Sequence, residues 1–317
     1  MSFGRILTAM VTPMSEALEI DYEEAVRLAQ HLIGHGSDSV VVCGTTGEAP
    51  TVTADEKVKL FKVIKEALGK TPVIAGIGSY STEATIALAC QAESTGVDGF
   101  LVVVPYYNKP SQEGLYQHFK AIAEATTVPI ILYNVPSRTS ANLMPATVKR
   151  LAEIPNIVAL KEAAGSVDQV TELKRMLPPE FVIYSGDDSM TLPMLALGCN
   201  GVISVAAHVI GNEMKQMVDA WFAGDIAQAI QWHLDLFPIF KGIFVTTNPV
   251  PIKAIVNMLG IKAGGVRLPL VQATPEEIKF LNNLMDDITK LRLNHKNGSQ
   301  ETSELKVACA KPSDAIV

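Results

Sequence analysis

The sequence predicts an α/β protein, a (β/α)8 TIM barrel with a C-terminal helical appendage. Three observations lead there. Short β-branched runs alternate with amphipathic stretches and recur every ~25–35 residues, as repeated βαβ units do. Several runs, such as Ser39-Val40-Val41-Val42-Cys43 and Phe100-Leu101-Val102-Val103-Val104, are apolar without alternation, the mark of strands covered on both faces. Eight such units in about 225 residues suit a closed barrel better than an open doubly wound sheet.

The strands are expected at 5–11, 38–43, 72–77, 98–104, 129–134, 157–162, 181–186 and 200–205. Thr53-Ala54-Asp55-Glu56 is a capping-box pattern opening a helix that runs to about Leu68, with Gly69 as its stop. Ser81-Thr82-Glu83 and Ser111-Gln112-Glu113 open the next two in the same way. Beyond the eighth strand the pattern is helical only, at roughly 209–223, 225–244, 250–259 and 275–293, broken by Asn248-Pro249-Val250-Pro251. The chain divides accordingly into a catalytic barrel (1–224), a helical domain (225–293) and a polar, patternless stretch (294–317) read as a flexible tail.

With 317 residues, 48% of them hydrophobic, the chain can bury a large core. Its net charge of −7 and the absence of any Lys/Arg run argue against nucleic acid or an anionic membrane as partner. No apolar stretch reaches the ~18 residues of a membrane span, and no targeting leader is visible at Met1-Ser2-Phe3-Gly4-Arg5. Cys43, Cys90, Cys199 and Cys309 lack metal-binding spacing, and three lie in apolar segments, reading as reduced core thiols of a cytoplasmic protein. His31 and His35 have helical spacing but no acidic ligand beside them, and exposed helix histidines explain them better than a metal site. The glycine-rich turns form neither GxGxxG nor a P-loop, so no dinucleotide cofactor is indicated.

One residue stands out against this background. Lys161 lies in Asn156-Ile157-Val158-Ala159-Leu160-Lys161-Glu162-Ala163, a run otherwise suited to the interior of a parallel sheet. Lysine is rarely buried unless paired or chemically employed. At an ordinary pKa of about 10.4, roughly one lysine in 2,500 is neutral at pH 7. Burial among aliphatic side chains lowers that pKa and leaves the amine ready to condense with a ketone as a Schiff base. A strand-end lysine that reaches solvent, or one neutralised by Glu162, is the alternative.

The other unusual polar residues fall where such a barrel carries its chemistry, at the C-terminal strand ends. After the second strand, Gly44-Thr45-Thr46-Gly47-Glu48 offers backbone N–H groups and two hydroxyls able to hold a carboxylate or phosphate, although it also fits an ordinary βα turn. Pro105-Tyr106-Tyr107-Asn108 follows the fourth strand and Tyr133-Asn134-Val135-Pro136-Ser137-Arg138-Thr139 the fifth. Tyrosine can relay protons or simply pack with a wet hydroxyl. Arg138 suits a carboxylate or a surface ion pair. Ser185-Gly186-Asp187-Asp188 reads as a structural helix cap, and Gly201-Val202-Ile203-Ser204-Val205 is the eighth strand.

Taken in order, these segments resemble the dihydrodipicolinate synthase (4-hydroxy-tetrahydrodipicolinate synthase) family of class I pyruvate-dependent aldolases and lyases, from about Phe3 to Lys290. The resemblance implies a Schiff base between Lys161 and pyruvate, a carboxylate held by Thr45 and Thr46, and a proton relay of Thr45, Tyr133 and Tyr107, the last reaching in from a neighbouring subunit. It further implies that Arg138 binds the carboxylate of L-aspartate 4-semialdehyde and that Ile203 places its carbonyl beside Lys161. No cofactor is needed beyond the covalent imine, and the family's assembly is a homotetramer built as a dimer of dimers. Lysine-inhibited members carry a histidine or tryptophan, an asparagine and a glutamate around an allosteric pocket, where this chain has Ala54, Lys57, Tyr80 and Ala84 and keeps only Tyr106. Weak or absent inhibition by L-lysine is expected from that change. His208 stands where many members have asparagine. A related pyruvate-dependent aldolase acting on a sugar acid is the alternative activity, and a non-catalytic barrel that binds a small acid is a third reading.

Overall fold

The computed structural model describes residues 3–309, and of 296–309 only the helical backbone. The chain runs β1 (Ile6–Ala9), α1 (Tyr22–Gly34), β2 (Ser39–Val42), α2 (Ala54–Leu68), β3 (Val73–Gly76), α3 (Thr82–Glu93), β4 (Gly99–Val103) and α4 (Gln112–Glu124). It continues with β5 (Ile130–Asn134), α5 (Pro136–Thr139), α6 (Pro145–Leu151), β6 (Ile157–Glu162), α7 (Val167–Met176), β7 (Val182–Ser185), α8 (Thr191–Ala196) and β8 (Gly201–Ser204). The last helices are α9 (Ala207–Phe222), α10 (Ile226–Gly242), α11 (Val250–Met258) and α12 (Pro275–Cys309). Every strand falls within its expected run, and the eight close in sequence order, all parallel, with β8 pairing back onto β1.

The unalternating runs resolve into two cores. Strand parity sends Val40 and Val42 outward against the helices and Val41 inward, so each face of the same strand buries apolar side chains. On β6, Leu160 faces the helices and Ala159 the barrel interior, where Ile131, Tyr133, Tyr184 and Ile203 also pack. Lys161 shares the parity of Ala159. The caps appear as expected: Thr53 and Glu56 exchange hydrogen bonds at the start of α2, and Ser81 and Ser111 accept from the N–H groups of Ala84 and Gly114.

Two expectations need correction, and one short helix falls where no element was assigned. The segment after β5 carries α5, opened by Pro136, which fixes φ in the helical range at a position needing no donor. The final helix does not stop near 293: α12 continues to Cys309, because no proline interrupts the chain before Pro312. The remainder of the expected tail, 310–317, lies outside the described residues. Cys90 is exposed on α3, whereas Cys43 and Cys199 are buried as expected. Among the described residues, no helix is long and apolar enough to cross a membrane.

His208 pins the first turn of α9 to the end of β1. Its Nδ1–H donates to the Val205 carbonyl (2.8 Å) and its Nε2 accepts from the Val11 N–H (3.1 Å), an arrangement that only neutral imidazole can make. Burial pushes its pKa down to about 4. The unfolded chain takes up a proton near pH 6.5 that the folded protein refuses until about pH 4, so this contribution is whole above pH 6.5 and is lost as pH falls toward 4. The loss is on the order of 2–3 kcal/mol. A His208→Asn variant is expected to lose less stability than wild type between pH 7 and 4.5, measured by urea unfolding; an equal slope for both proteins would show that the imidazole is not held neutral.

Candidate active site

Register and parity place Lys161 between two aromatic neighbours inside the barrel: it pairs with Tyr133 on β5 and Tyr184 on β7. Only 5% of it is exposed, and Nζ lies 4.4 Å from the centroid of the Tyr133 ring. Desolvation pulls its pKa down to about 8; attraction to Asp188 opposes the shift and repulsion from Arg138 adds to it. At that value about one amine in ten is neutral at pH 7, against one in 2,500 for an ordinary lysine. Room for the side chain comes from Gly186, where a Cβ would lie 3.1 Å from Lys161 Cε and 2.7 Å from Ala163 Cβ.

Glu162 does not neutralise this lysine. Opposite parity turns it away, and it accepts hydrogen bonds from Asn134 Nδ2, Gln169 Nε2 and the Ala164 N–H. The carboxylate that Lys161 does feel is Asp188, which the sequence had grouped with Asp187 as a helix cap. Only Asp187 caps, accepting from the Ser189 N–H. Asp188 is buried and takes hydrogen bonds from Ser204 Oγ and the N–H groups of Val205 and Ala206. Burial still raises its pKa to about 6, so it is ionised at neutral pH.

The Gly44–Glu48 turn is bent by two left-handed residues, Cys43 (φ 56°) and Glu48 (φ 56°). It packs so closely on the end of β3 that a Cβ on Gly76 would meet the Cys43 carbonyl at 2.2 Å. Among the described residues, the N–H groups of Thr45 and Thr46 have no acceptor, while those of Gly47, Glu48 and Ala49 bond back into the turn. Two free backbone donors beside two hydroxyls are the chemistry a carboxylate or phosphate needs. The phenol of buried Tyr133 has its pKa raised by desolvation and drawn back by the Thr45 hydroxyl and by Arg138.

Thr45, Tyr133 and Arg138 line one cavity of about 400 Å³ at the strand-end mouth, together with Lys57, Tyr80 and Tyr106. Among the described residues, no carboxylate lines it. Arg138, exposed on α5, forms no ion pair among the described residues, which removes the surface salt-bridge reading. Lys161 is not itself a lining residue; it stands behind Tyr133. Thr46 and Ile203 are buried nearby in the turn and on β8. Tyr107 stands apart from its own cavity, 92% exposed and strained at φ 70°.

Sequence reasoning missed the supports behind the turn. Glu48 makes a buried ion pair with Lys253 of α11 (2.7 Å), and Asn248 Nδ2 donates to Thr46 Oγ1 (2.9 Å). The signal available was a lysine inside the apolar helix Val250–Met258, the same anomaly that exposed Lys161.

An amine this dry, inside a (β/α)8 barrel, suits lyases of the class I aldolase type, which work through a lysine Schiff base, and the chain is one of them. Its family is the dihydrodipicolinate synthetase family, whose description matches residues 2–288. The chain is 56% identical to the 4-hydroxy-tetrahydrodipicolinate synthase of Desulforamulus reducens over 288 residues, covering 90% of this chain and 97% of that one. It is 59% identical to the Moorella thermoacetica synthase over 278 residues, 87% of this chain and 95% of the other. Among solved structures it is similar to the dihydrodipicolinate synthase of Bacillus anthracis (TM-score 0.88, 47% identity, 90% and 98% of the two chains). It is also similar to the Cyanidioschyzon merolae enzyme solved with lysine bound (TM-score 0.88, 46%, 90% and 98%).

Because the charge of Asp188 raises the Lys161 pKa and that of Arg138 lowers it, Asp188→Asn should move the Lys161 titration to lower pH, and Arg138→Met should move it to higher pH. Rates of cyanoborohydride trapping with pyruvate across pH 6–10 check both; shifts of the same sign would contradict the electrostatics.

Proposed function

We propose that the protein condenses pyruvate with L-aspartate 4-semialdehyde to give 4-hydroxy-tetrahydrodipicolinate, the step that leads toward diaminopimelate and lysine. The observation that carries this is the dry amine of Lys161 against the ring of Tyr133, which shares a cavity with Thr45 of the turn after β2. Lys161 attacks C2 of pyruvate, water leaves, and the imine carbon becomes an electron sink, so the chemistry needs no cofactor. Loss of a methyl proton gives an enamine that attacks the aldehyde carbon, and the new alkoxide takes a proton back. The semialdehyde's amine then adds to the imine carbon, expels Lys161 and closes the ring.

Every step moves a proton, which suits a hydroxyl relay better than one strong base. Thr45 and Tyr133 supply two members of that relay. The partner subunit's Tyr107 supplies the third in a homotetramer built from tight dimers; the exposure and strain of Tyr107 on its own chain support that assignment. Thr45 and Thr46 hold the keto-acid carboxylate, and the unpaired Arg138 takes the carboxylate of the semialdehyde. The Ile203 carbonyl is assigned a place beside Lys161. The net charge of −7 and the reduced cysteines fit a cytoplasmic enzyme whose partners are its small acidic substrates and its own copies.

Feedback by L-lysine is proposed to be weak or absent. Lys57 and Arg138 already make the cavity cationic, and no lining carboxylate offers a counter-charge to two further ammonium groups. Ala54 and Ala84 contribute no polar group.

A coupled assay with pyruvate and aspartate semialdehyde should show turnover, and borohydride with pyruvate should leave a permanent mass increase on Lys161. Lys161→Ala should lose at least ~10³-fold in kcat, since the covalent path is gone. Arg138→Ala should raise KM for the semialdehyde about 10–100-fold, as expected for a charge-assisted pair, and not for pyruvate. Activity on a sugar-acid aldehyde instead, independent of Arg138, would replace the reading, and half-inhibition by submillimolar L-lysine would remove the regulatory part.

A further inference from the structure

The turn that faces the keto acid is held from outside the barrel. Three hydrogen bonds reach it from the segment after α10, more than 200 residues away in sequence. Asn248 Nδ2 donates to Thr46 Oγ1 (2.9 Å), Lys253 Nζ to Glu48 Oε1 (2.7 Å), and the Arg267 N–H to Glu48 Oε2 (3.0 Å). Asn248, Thr46, Glu48 and Lys253 are all buried. Both oxygens of Glu48 are thereby engaged, at a residue whose backbone is already left-handed. Removing one partner from such a pair strands a charge away from water, so the position of the turn is tied to that of α11.

The direction of the Asn248 bond matters chemically. A threonine hydroxyl has one proton and two lone pairs. When Asn248 donates to Thr46 Oγ1, it occupies a lone pair and leaves the Thr46 proton free to be given away. A donor is what a carboxylate requires, and the free N–H groups of Thr45 and Thr46 point to the same ligand. The Thr12 hydroxyl, donating to the Gly47 carbonyl (2.7 Å), fixes the other end of the turn.

We infer that Asn248 and Lys253 are positioning residues for the keto-acid carboxylate, Asn248 by orienting the Thr46 hydroxyl and Lys253 by fixing Glu48 and with it the turn. The α10–α11 connection and α11 thus complete the substrate site and do not merely cover the barrel. The inference rests on the reading that this turn holds the carboxylate of pyruvate.

The test is a set of steady-state measurements on the full-length chain: Thr46→Val, Asn248→Ser, Asn248→Asp, Lys253→Met and the double variant Thr46→Val/Asn248→Ser. Asn248→Ser should raise KM for pyruvate about tenfold, with kcat and the KM of the aldehyde little changed, as loss of one oriented hydrogen bond does. Asn248→Asp should raise it further, because a carboxylate there accepts the Thr46 proton and repels the substrate's charge. The double variant should match Thr46→Val alone, since the two act through one hydroxyl. Lys253→Met should raise KM for pyruvate in the same selective way. Additive effects in the double variant, an equal rise in KM for both substrates, or a loss of thermal stability with KM unchanged would each overturn the inference. An unchanged KM in Thr46→Val would instead overturn the carboxylate reading of the turn, which keeps the two failures apart. If Lys253→Met does not fold, Lys253→Arg, which keeps the charge, should restore folding and place the turn imperfectly, raising KM for pyruvate while kcat holds; an unchanged KM would count against the assignment of Lys253.

Discussion

Keeping one ammonium group out of water is the constraint on which this site depends. Hydration favours the charged form of lysine, and only a surround that denies hydration can bring a nucleophilic amine into the physiological range. The barrel supplies that surround through strand parity: Ala159 and Lys161 point inward among Ile131, Tyr133, Tyr184 and Ile203. The glycine at 186 gives the lysine chain its space. Asp188, itself buried and triply hydrogen-bonded, limits how far the shift goes. Reactivity is a balance between a dry cage and one distant counter-charge.

The surrounding polar groups are arranged so that none competes for that amine. Glu162, adjacent in sequence, is occupied by Asn134, Gln169 and the Ala164 N–H on the far side of the strand. Asp188 spends its hydrogen-bonding capacity on the β8 end. The turn after β2 keeps two N–H donors unspent. The carboxylates are thus satisfied away from the cavity, and the donors of the turn are not.

Much of this was legible in the chain. Continuous apolar runs such as Ser39–Val42 fix buried parallel strands, and Thr53 with Glu56 fixes a helix start, because both signals are local. Lys161 was legible as an anomaly, a cation inside an apolar run. The roles of Asp188, Asn248 and Lys253 were not, since each depends on partners between 16 and 205 residues away that no spacing rule connects. The extension of α12 was missed for a different reason: its polar composition resembles that of a tail, yet no proline lies in it to end the helix. The two cationic residues of the cavity were visible singly, and only the folded chain shows that they line the same cavity.

That shared cavity sets a local field against a global one. The chain as a whole carries seven excess negative charges and so repels small acids at long range. Near the mouth, half-buried Lys57 and exposed Arg138 reverse the sign locally. Dissolved salt screens the outer repulsion and the exposed Arg138 over a Debye length of about 8 Å at physiological ionic strength, whereas the half-buried Lys57 is screened less. Encounter with anionic molecules is thus gated by ionic strength: as salt rises from very low levels the barrier outside fades first, and the attraction of Lys57 persists until screening reaches the cavity itself.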